Sequence, residues 1–162
     1  MVRPSVFVLA SALALGPSVA SADQQCKPVV GSFEARIVPV SDGCPVPFPL
    51  LCTAGRVWGG IQGNYAFTMS NVMPNGEPDV PTILFFTGHS QVGLKSGELV
   101  LGTDTGSIDV PPGQGGFASL ITFHPGGSGA MANATGQIRL RGDFDPVAGT
   151  TSGDYLGTIC TP

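Results

Sequence analysis

Charge is scarce in this chain, and the residue patterns of the commonest catalytic sites are absent from it. Charged residues make up 11% of the 162 positions, with two histidines and one tryptophan. The sequence contains no Gly-x-Ser-x-Gly, no glycine-rich loop ending in Lys-Ser or Lys-Thr, and no Cys-x-x-Cys. These absences speak against a nucleophile-elbow hydrolase, a phosphate-binding loop and a thiolate zinc site.

Helical patterns are missing too. No segment longer than a turn repeats apolar residues three and four positions apart, and the 24 glycines interrupt every candidate window. The apolar stretch at 6–15 is far shorter than the roughly 20 residues that a membrane-spanning helix needs. We therefore predict no membrane span and no helical core.

The first residues have the features of an export signal. Arg3 supplies a positive charge before the apolar stretch, and Ala20-Ser21-Ala22 is a cleavage motif of the A-x-A type. Cys26 follows Asp-Gln-Gln, which does not fit a lipid-anchor signal. We predict a signal peptide at 1–22, cleavage after Ala22, and one exported domain at 23–162, periplasmic or secreted.

The charge balance speaks against nucleic acid as a partner. Removal of Arg3 leaves six basic and eleven acidic residues, a formal net charge of −5. The basic residues are scattered, whereas nucleic-acid binding needs clustered Lys and Arg. We expect no nucleic acid, no cofactor and no metal, and the oligomeric state stays open.

The four cysteines, Cys26, Cys44, Cys52 and Cys160, all follow the predicted signal peptide. An even number of cysteines in an exported domain indicates two disulfides, with three connectivities open. A metal site is disfavoured because neither histidine lies at ligand spacing from a cysteine. The sequon at Asn133 has meaning only in a eukaryotic source.

Alternation with a period of two is the dominant pattern, and it indicates β-strands. At 137–144, polar and apolar residues alternate from Gln137 and Ile138 to Asp143 and Phe144. Eight such segments, joined by Gly/Pro turns, predict an all-β fold, an eight-stranded antiparallel up-and-down β-barrel that closes on itself and exposes no edge. The segments are 32–40, 55–61, 64–73, 82–92, 98–109, 117–124, 137–144 and a last strand ending at Cys160.

Two glycine-rich segments carry a family resemblance. Gly126-Gly127-Ser-Gly-Ala-Met-Ala-Asn-Ala-Thr-Gly136 and Gly142-Asp-Phe-Asp-Pro-Val-Ala-Gly149 resemble the GGTGxFxxATG and GxFDxxxG signatures of the allene oxide cyclase-like barrel superfamily. The segment CTAGRVWGGIQG at 52–63 is similar to the early strand pair of its secreted bacterial members.

The resemblance implies a calycin-like barrel whose calyx holds an apolar ligand. The superfamily includes plant cyclases, dirigent proteins that guide radical coupling, and bacterial cyclases. Its catalytic carboxylates differ between branches, and none can be placed on a position of this sequence. An enzymatic role therefore rests on analogy.

The barrel also predicts how the cysteines pair. In a closed antiparallel barrel of even strand number, the start of the first strand lies beside the end of the last. Cys26 and Cys160 occupy these two ends, whereas Cys44 and Cys52 bracket the loop after the first strand. We predict the disulfides Cys26–Cys160 and Cys44–Cys52.

Aromatic residues and the two histidines are the candidate ligand-binding residues. The interior of an eight-stranded barrel holds packed side chains or one small ligand. Core packing is the competing interpretation for the aromatic residues, and exposure at strand ends is the competing one for the histidines. Trp58 is the first choice because it stands beside two glycines. The candidates are Trp58, Tyr65, Phe67, Phe86, His89, Phe123 and His124.

No catalytic residue can be assigned. Glu98 and Asp104 lie on one predicted strand, but they are roughly 20 Å apart by strand rise, too far for a carboxylate pair. One class of function is a non-catalytic exported barrel that binds a small apolar molecule or serves as a stable secreted module. The other is a cofactor-free cyclase, isomerase or dirigent-like enzyme acting on a hydrophobic substrate. The missing motifs and the export signal favour the first class, and a ligand in the calyx is expected to perturb Trp58 fluorescence.

Overall fold

The computed structural model describes residues 24–39, 50–76 and 82–162. Each strand in this part of the chain is antiparallel to its neighbours, and β8 pairs with β1, so the sheet closes in the order β1 to β8. The predicted eight-stranded up-and-down barrel is confirmed. The strands are β1 (Gln25–Val38), β2 (Leu51–Gly59), β3 (Gly63–Pro74), β4 (Ile83–Leu94), β5 (Leu99–Asp109), β6 (Gly116–His124), β7 (Thr135–Asp145) and β8 (Thr150–Thr161).

Helical structure within the described residues is limited to one 3₁₀ turn, Gly129–Met131, before β7. None of the helical structure described is long and apolar enough to cross a bilayer. Residues 125–134 connect β6 to β7 and contain this turn, so most of the glycine-rich segment is a connection and its last two residues, Thr135 and Gly136, begin β7.

The first two strands begin earlier than predicted. β1 begins at Gln25, because 25–31 pairs with the last residues of β8. β2 begins at Leu51, where Leu51 and Cys52 pair with β3. The extra residues contain Pro28 and lack clean alternation, so their strand conformation depends on the neighbouring strands rather than on local pattern.

The disulfide Cys26–Cys160 is confirmed, and it joins directly opposed residues of β1 and β8 whose Cα atoms are 3.9 Å apart. Cys52 is also disulfide-bonded. Cys44 lies outside the described residues, and so does the predicted cleavage site after Ala22.

Successive side chains of a β-strand point to opposite faces of the sheet, so every second side chain points into the barrel. On β7, Ile138 and Leu140 are buried, whereas Arg139 between them and Arg141 after them are exposed. The inward-facing residues of the eight strands form one core of mainly aliphatic and aromatic side chains. The core residues include Val29, Phe33, Val57, Tyr65, Phe67, Met69, Phe86, Val92, Val100, Ile121, Phe123, Ile138, Leu140 and Tyr155.

The two ends of the barrel are built differently. We call the end at which β1 starts and β8 finishes the lower end, and the opposite end the upper end. At the lower end, Ile61 in the connection between β2 and β3 is buried in the core. The Tyr155 hydroxyl accepts a hydrogen bond from the Ile61 amide (2.8 Å) and donates one to its carbonyl (3.1 Å). Gly31 makes room for that tyrosine, because a Cβ there would lie 2.6 Å from its hydroxyl.

Candidate functional site

An internal cavity of about 60 Å³ lies in the upper half of the barrel. Its walls are apolar except at a few positions, and the polar groups include one carboxyl group, that of Asp104. Four of the lining side chains form a chain of neighbouring rings, with centroid distances of 5.8 Å for Phe33–Phe117, 6.1 Å for Phe86–Phe117 and 5.4 Å for Phe67–Phe86. The remaining lining residues are Leu51, Thr53, Tyr65, Met69, Ile108, Phe144 and Thr151.

Asp104 is the polar centre of this cavity, and only 1% of its surface is exposed. It faces inward because it alternates along β5 with outward-facing Thr103 and Thr105. One carboxylate oxygen, Oδ2, accepts a hydrogen bond from Ser90 Oγ (2.8 Å) and a longer one from the Tyr65 hydroxyl (3.4 Å). The Tyr65 and Ser90 hydroxyls are themselves 3.1 Å apart.

The other carboxylate oxygen, Oδ1, has no hydrogen-bond partner among the described residues. Ser119 Oγ, on the adjacent strand β6, is also buried without a hydrogen bond there. Ser119 nevertheless lies close enough to lower the pKa of Asp104. Buried polar atoms in proteins almost always have a partner, so these two mark a place where the fold alone does not complete the hydrogen bonding.

Burial raises the pKa of Asp104 from 3.8 to about 6, because the apolar surroundings disfavour the charged form. The hydroxyls of Ser90, Ser119 and Tyr65 act in the opposite direction by stabilising the carboxylate. Burial also raises the pKa of Tyr65 well above its usual value, and the nearby Asp104 adds to that shift. Tyr65 is therefore a neutral hydroxyl at any pH at which Asp104 titrates.

Three of the sequence-predicted site residues are brought together at the cavity, namely Tyr65, Phe67 and Phe86. Phe123 is buried in the core near the lower end of β6. Trp58 and His89 are exposed on the outer face, and His124 is half-buried there, with its Nδ1 2.8 Å from the Pro125 carbonyl oxygen. These three residues lie outside the cavity, because each alternates with an inward-facing neighbour on its strand.

In the sequence, Asp104 is a candidate only as one half of the rejected carboxylate pair with Glu98, and no motif selects Ser90 or Ser119. Strand parity carried the signal: Asp104 has the same parity as buried Val100 and Gly102 on β5. Register was the missing information. Ser90 pairs with Gly102 and Asp104 pairs with Ile121, so the two serines approach the carboxyl group diagonally.

A larger concavity, about 1080 Å³, runs over the outer face across β4 to β8 and β1. Val30, Phe85 and Leu156 are exposed apolar side chains in it, beside Arg139 and Arg141. It is a groove on the outer wall, not a chamber, and the carboxyl group of Asp104 does not line it. The interior cavity is therefore the better candidate site despite its smaller volume.

Neither a protein-family model nor a curated protein sequence matches the chain. Among solved structures, the chain is similar to the pterocarpan synthase dirigent protein GePTS1, at 15% sequence identity and a TM-score of 0.34, with 88% of each chain covered. A TM-score this low carries no argument about function. The closed barrel is established by its own strand pairing, which agrees with the fold that the glycine motifs implied.

Proposed function

We propose that the upper cavity binds a small molecule with an apolar body and one polar group that reaches Asp104. The observation that carries this proposal is the unpartnered Oδ1 of a buried carboxylate in an apolar cavity. Burying such a group without a full set of hydrogen bonds is unfavourable. An apolar side chain of similar size would fill the position at lower cost, so a role in recognition accounts for the aspartate.

The dimensions of the cavity limit the size of the ligand. A cavity of about 60 Å³ exceeds the roughly 10–15 Å³ that a single water needs, so it has room for a ligand of only a few non-hydrogen atoms. The apolar body would contact Phe67, Phe86 and Phe117. We therefore expect millimolar affinity, because so few ligand atoms supply little binding energy.

Backbone NMR spectra with 2-propanol and acetone test the proposal. We expect shifts that saturate and cluster on cavity-lining residues, and that weaken in Asp104→Leu, which has a similar shape but no carboxyl group. Ser107→Ala on the outward side of β5 is the matched control and should behave as the wild type. If neither molecule shifts the cavity residues, or if the shifts fall on the outer face, the cavity is not a binding site and the stable secreted module is the better account.

A cofactor-free isomerase or cyclase is the second candidate, and the raised pKa of Asp104 favours it. A carboxyl group whose pKa is about 6 exchanges protons readily near neutral pH. As a general base, Asp104 would remove a proton next to a carbonyl group and return it at another position. Acetone in heavy water gives a direct test, because deuteration faster than in buffer and absent from Asp104→Asn would support catalysis. Equal deuteration rates in the wild type and the variant would contradict catalysis, and binding without catalysis would remain as the proposed function.

We further propose that the chain is exported and cleaved after Ala22. The Ala20-Ser21-Ala22 motif and the Cys26–Cys160 disulfide support this, because disulfides persist in oxidising compartments. N-terminal sequencing of the exported protein should begin at Asp23. A product that retains Ala20 to Ala22 would contradict the cleavage site.

A further inference from the structure

Among the described residues, the interior of the barrel contains the carboxyl group of Asp104 and no side chain of opposite charge. The inward-facing positions of the eight described strands hold no lysine, arginine or histidine. The basic residues that follow position 23 are all exposed. They are Lys27, Arg36, Arg56, Lys95, Arg139 and Arg141.

The hydroxyl groups around Asp104 donate hydrogen bonds to only one of its two carboxylate oxygens. Ser90 and Tyr65 both donate to Oδ2, whereas Oδ1 has no hydrogen-bond partner among the described residues, although Ser119 lies near enough to stabilise the carboxylate. Asp104 is one of the residues that line the cavity. A buried carboxylate is stabilised most when it is both hydrogen-bonded and paired with a cation. No described side chain supplies that cation.

We infer that the cavity selects a small organic ammonium ion, which donates a hydrogen bond to Asp104 Oδ1 while its alkyl groups contact the phenylalanine rings. This inference rests on the proposed binding function and narrows its ligand class to cations.

The aromatic walls fit such an ion. The connected rings of Phe33, Phe117, Phe86 and Phe67 line the cavity that contains the carboxylate. Aromatic faces attract organic cations, and the attraction is stronger where water is excluded. A single cavity thus offers a hydrogen-bond acceptor with full negative charge and several aromatic surfaces for the rest of the ion.

Other ligand classes fit less well. A metal ion such as Ca²⁺ needs six to eight oxygen ligands, whereas the unpartnered buried oxygens at this site are Asp104 Oδ1 and Ser119 Oγ. An anion would be repelled by the carboxylate. A neutral alcohol could donate one hydrogen bond, but it would leave the negative charge without compensation.

The affinity for a cation should follow the ionisation of Asp104. From the neighbouring strands, Tyr65 on β3, Ser90 on β4 and Ser119 on β6 face this carboxyl group, and of these only Tyr65 titrates. The pKa of Tyr65 is raised well above its usual value, so Tyr65 stays neutral. Because the pKa of Asp104 is about 6, cation affinity should increase about tenfold per pH unit below that value and level off above it.

Three probes of equal heavy-atom count, isopropylammonium, 2-propanol and acetate, separate charge from size. In NMR titrations at about pH 8 and constant ionic strength, we expect isopropylammonium to bind at least about tenfold more tightly than 2-propanol, and acetate not to bind. In a ¹³C titration of the carboxyl group, saturating isopropylammonium should lower the pKa of Asp104. The expected shift is about one unit for each tenfold by which the ion binds ionised Asp104 more tightly than protonated Asp104.

Two variants test the assignment. Asp104→Asn keeps the shape but removes the charge, so it should lose the preference for the ammonium ion and still bind 2-propanol. Asp154→Asn removes an exposed carboxylate on the outward side of β8 and should keep the preference. If Asp104→Asn fails to fold, the pKa shift in the wild type decides the question.

The outcomes distinguish the two proposals. Equal affinity for 2-propanol and isopropylammonium would overturn the cation inference while leaving the binding site intact. No binding by any of the probes would overturn both proposals. Displacement of isopropylammonium by sodium at equal concentration would also overturn the inference, because it would assign the site to a metal ion.

Discussion

Two buried tyrosines show how the two halves of the barrel differ. At the lower end, the Tyr155 hydroxyl makes two hydrogen bonds to the backbone of Ile61 and thereby fixes the connection between β2 and β3. In the upper half, the Tyr65 hydroxyl joins a side-chain network with Ser90 and Asp104 that leaves Asp104 Oδ1 unpaired. The first arrangement is complete and stabilises the fold, whereas the second is incomplete and suits ligand binding.

The disulfide at the lower end should have the largest effect on stability. Replacing both Cys26 and Cys160 by serine frees ends that are 134 residues apart in sequence. By the chain-entropy model we expect the free energy of unfolding to fall by about 4–5 kcal/mol, measured by urea denaturation. If the two halves are independent, the pKa of Asp104 in the folded variant should stay near 6. A pKa that moves with the disulfide would show that the lower end shapes the cavity.

Asp104→Asn should have the next largest effect, and we expect it to stabilise the protein at neutral pH. The unfolded chain releases the Asp104 proton near pH 3.8, and the folded chain releases it near pH 6. Between these values the folded state binds more protons, so the free energy of unfolding falls as pH rises. Above pH 6, the ionised Asp104 therefore lowers the free energy of unfolding by at most about 3 kcal/mol, which corresponds to a pKa shift of about two units.

The measurement is the difference in unfolding free energy between Asp104→Asn and the wild type at about pH 4 and pH 8. We expect the difference to shift in favour of the variant by about 2–3 kcal/mol between these pH values. Asp154→Asn, which replaces an exposed carboxylate on the outward side of β8, is the matched control variant. A difference independent of pH would mean that the folded and unfolded chains bind the Asp104 proton equally.

Removing the hydroxyl of either tyrosine should change stability less than Asp104→Asn does, and it should destabilise the protein instead of stabilising it. Tyr155→Phe removes two hydrogen bonds to Ile61 and should lower the free energy of unfolding by about 1–3 kcal/mol, with no change in the pKa of Asp104. Tyr65→Phe should cost less, because one of its two contacts is 3.4 Å long. It should raise the pKa of Asp104 further, since the hydroxyl stabilises the carboxylate. Thermal unfolding and a ¹³C titration check both variants, and the reverse pattern would contradict the division of roles.

Trp58 should show the smallest effect. It is 43% exposed on the outer face, so a ligand in the upper cavity should leave its fluorescence unchanged, and Trp58→Phe should alter the free energy of unfolding by less than about 0.5 kcal/mol. This differs from the expectation raised by the sequence, where Trp58 was the first ligand-binding candidate. Strong quenching by a cavity ligand would place the ligand near β2 on the outside of the barrel.

Local pattern was sufficient for most of the fold. Alternation along 137–144 assigned the inward and outward sides of β7, and turn residues separated the eight strands. The pairing of Cys26 with Cys160 followed from strand number and direction alone, because those settle which ends meet. The limits of β1 and β2 did not follow, because residues such as Pro28 become strand only through a partner strand.

The closed barrel could be predicted from the residues alone, since period-two alternation and Gly/Pro turns are local properties of the chain. The site could not be predicted in that way, because it depends on how the strands pair. Which polar residues meet inside depends on the register between β3, β4, β5 and β6, and a shift of one residue would turn Asp104 to the outside. Burial of Asp104 beside Ser90, Ser119 and Tyr65, and the pKa of about 6 that results, are products of that register.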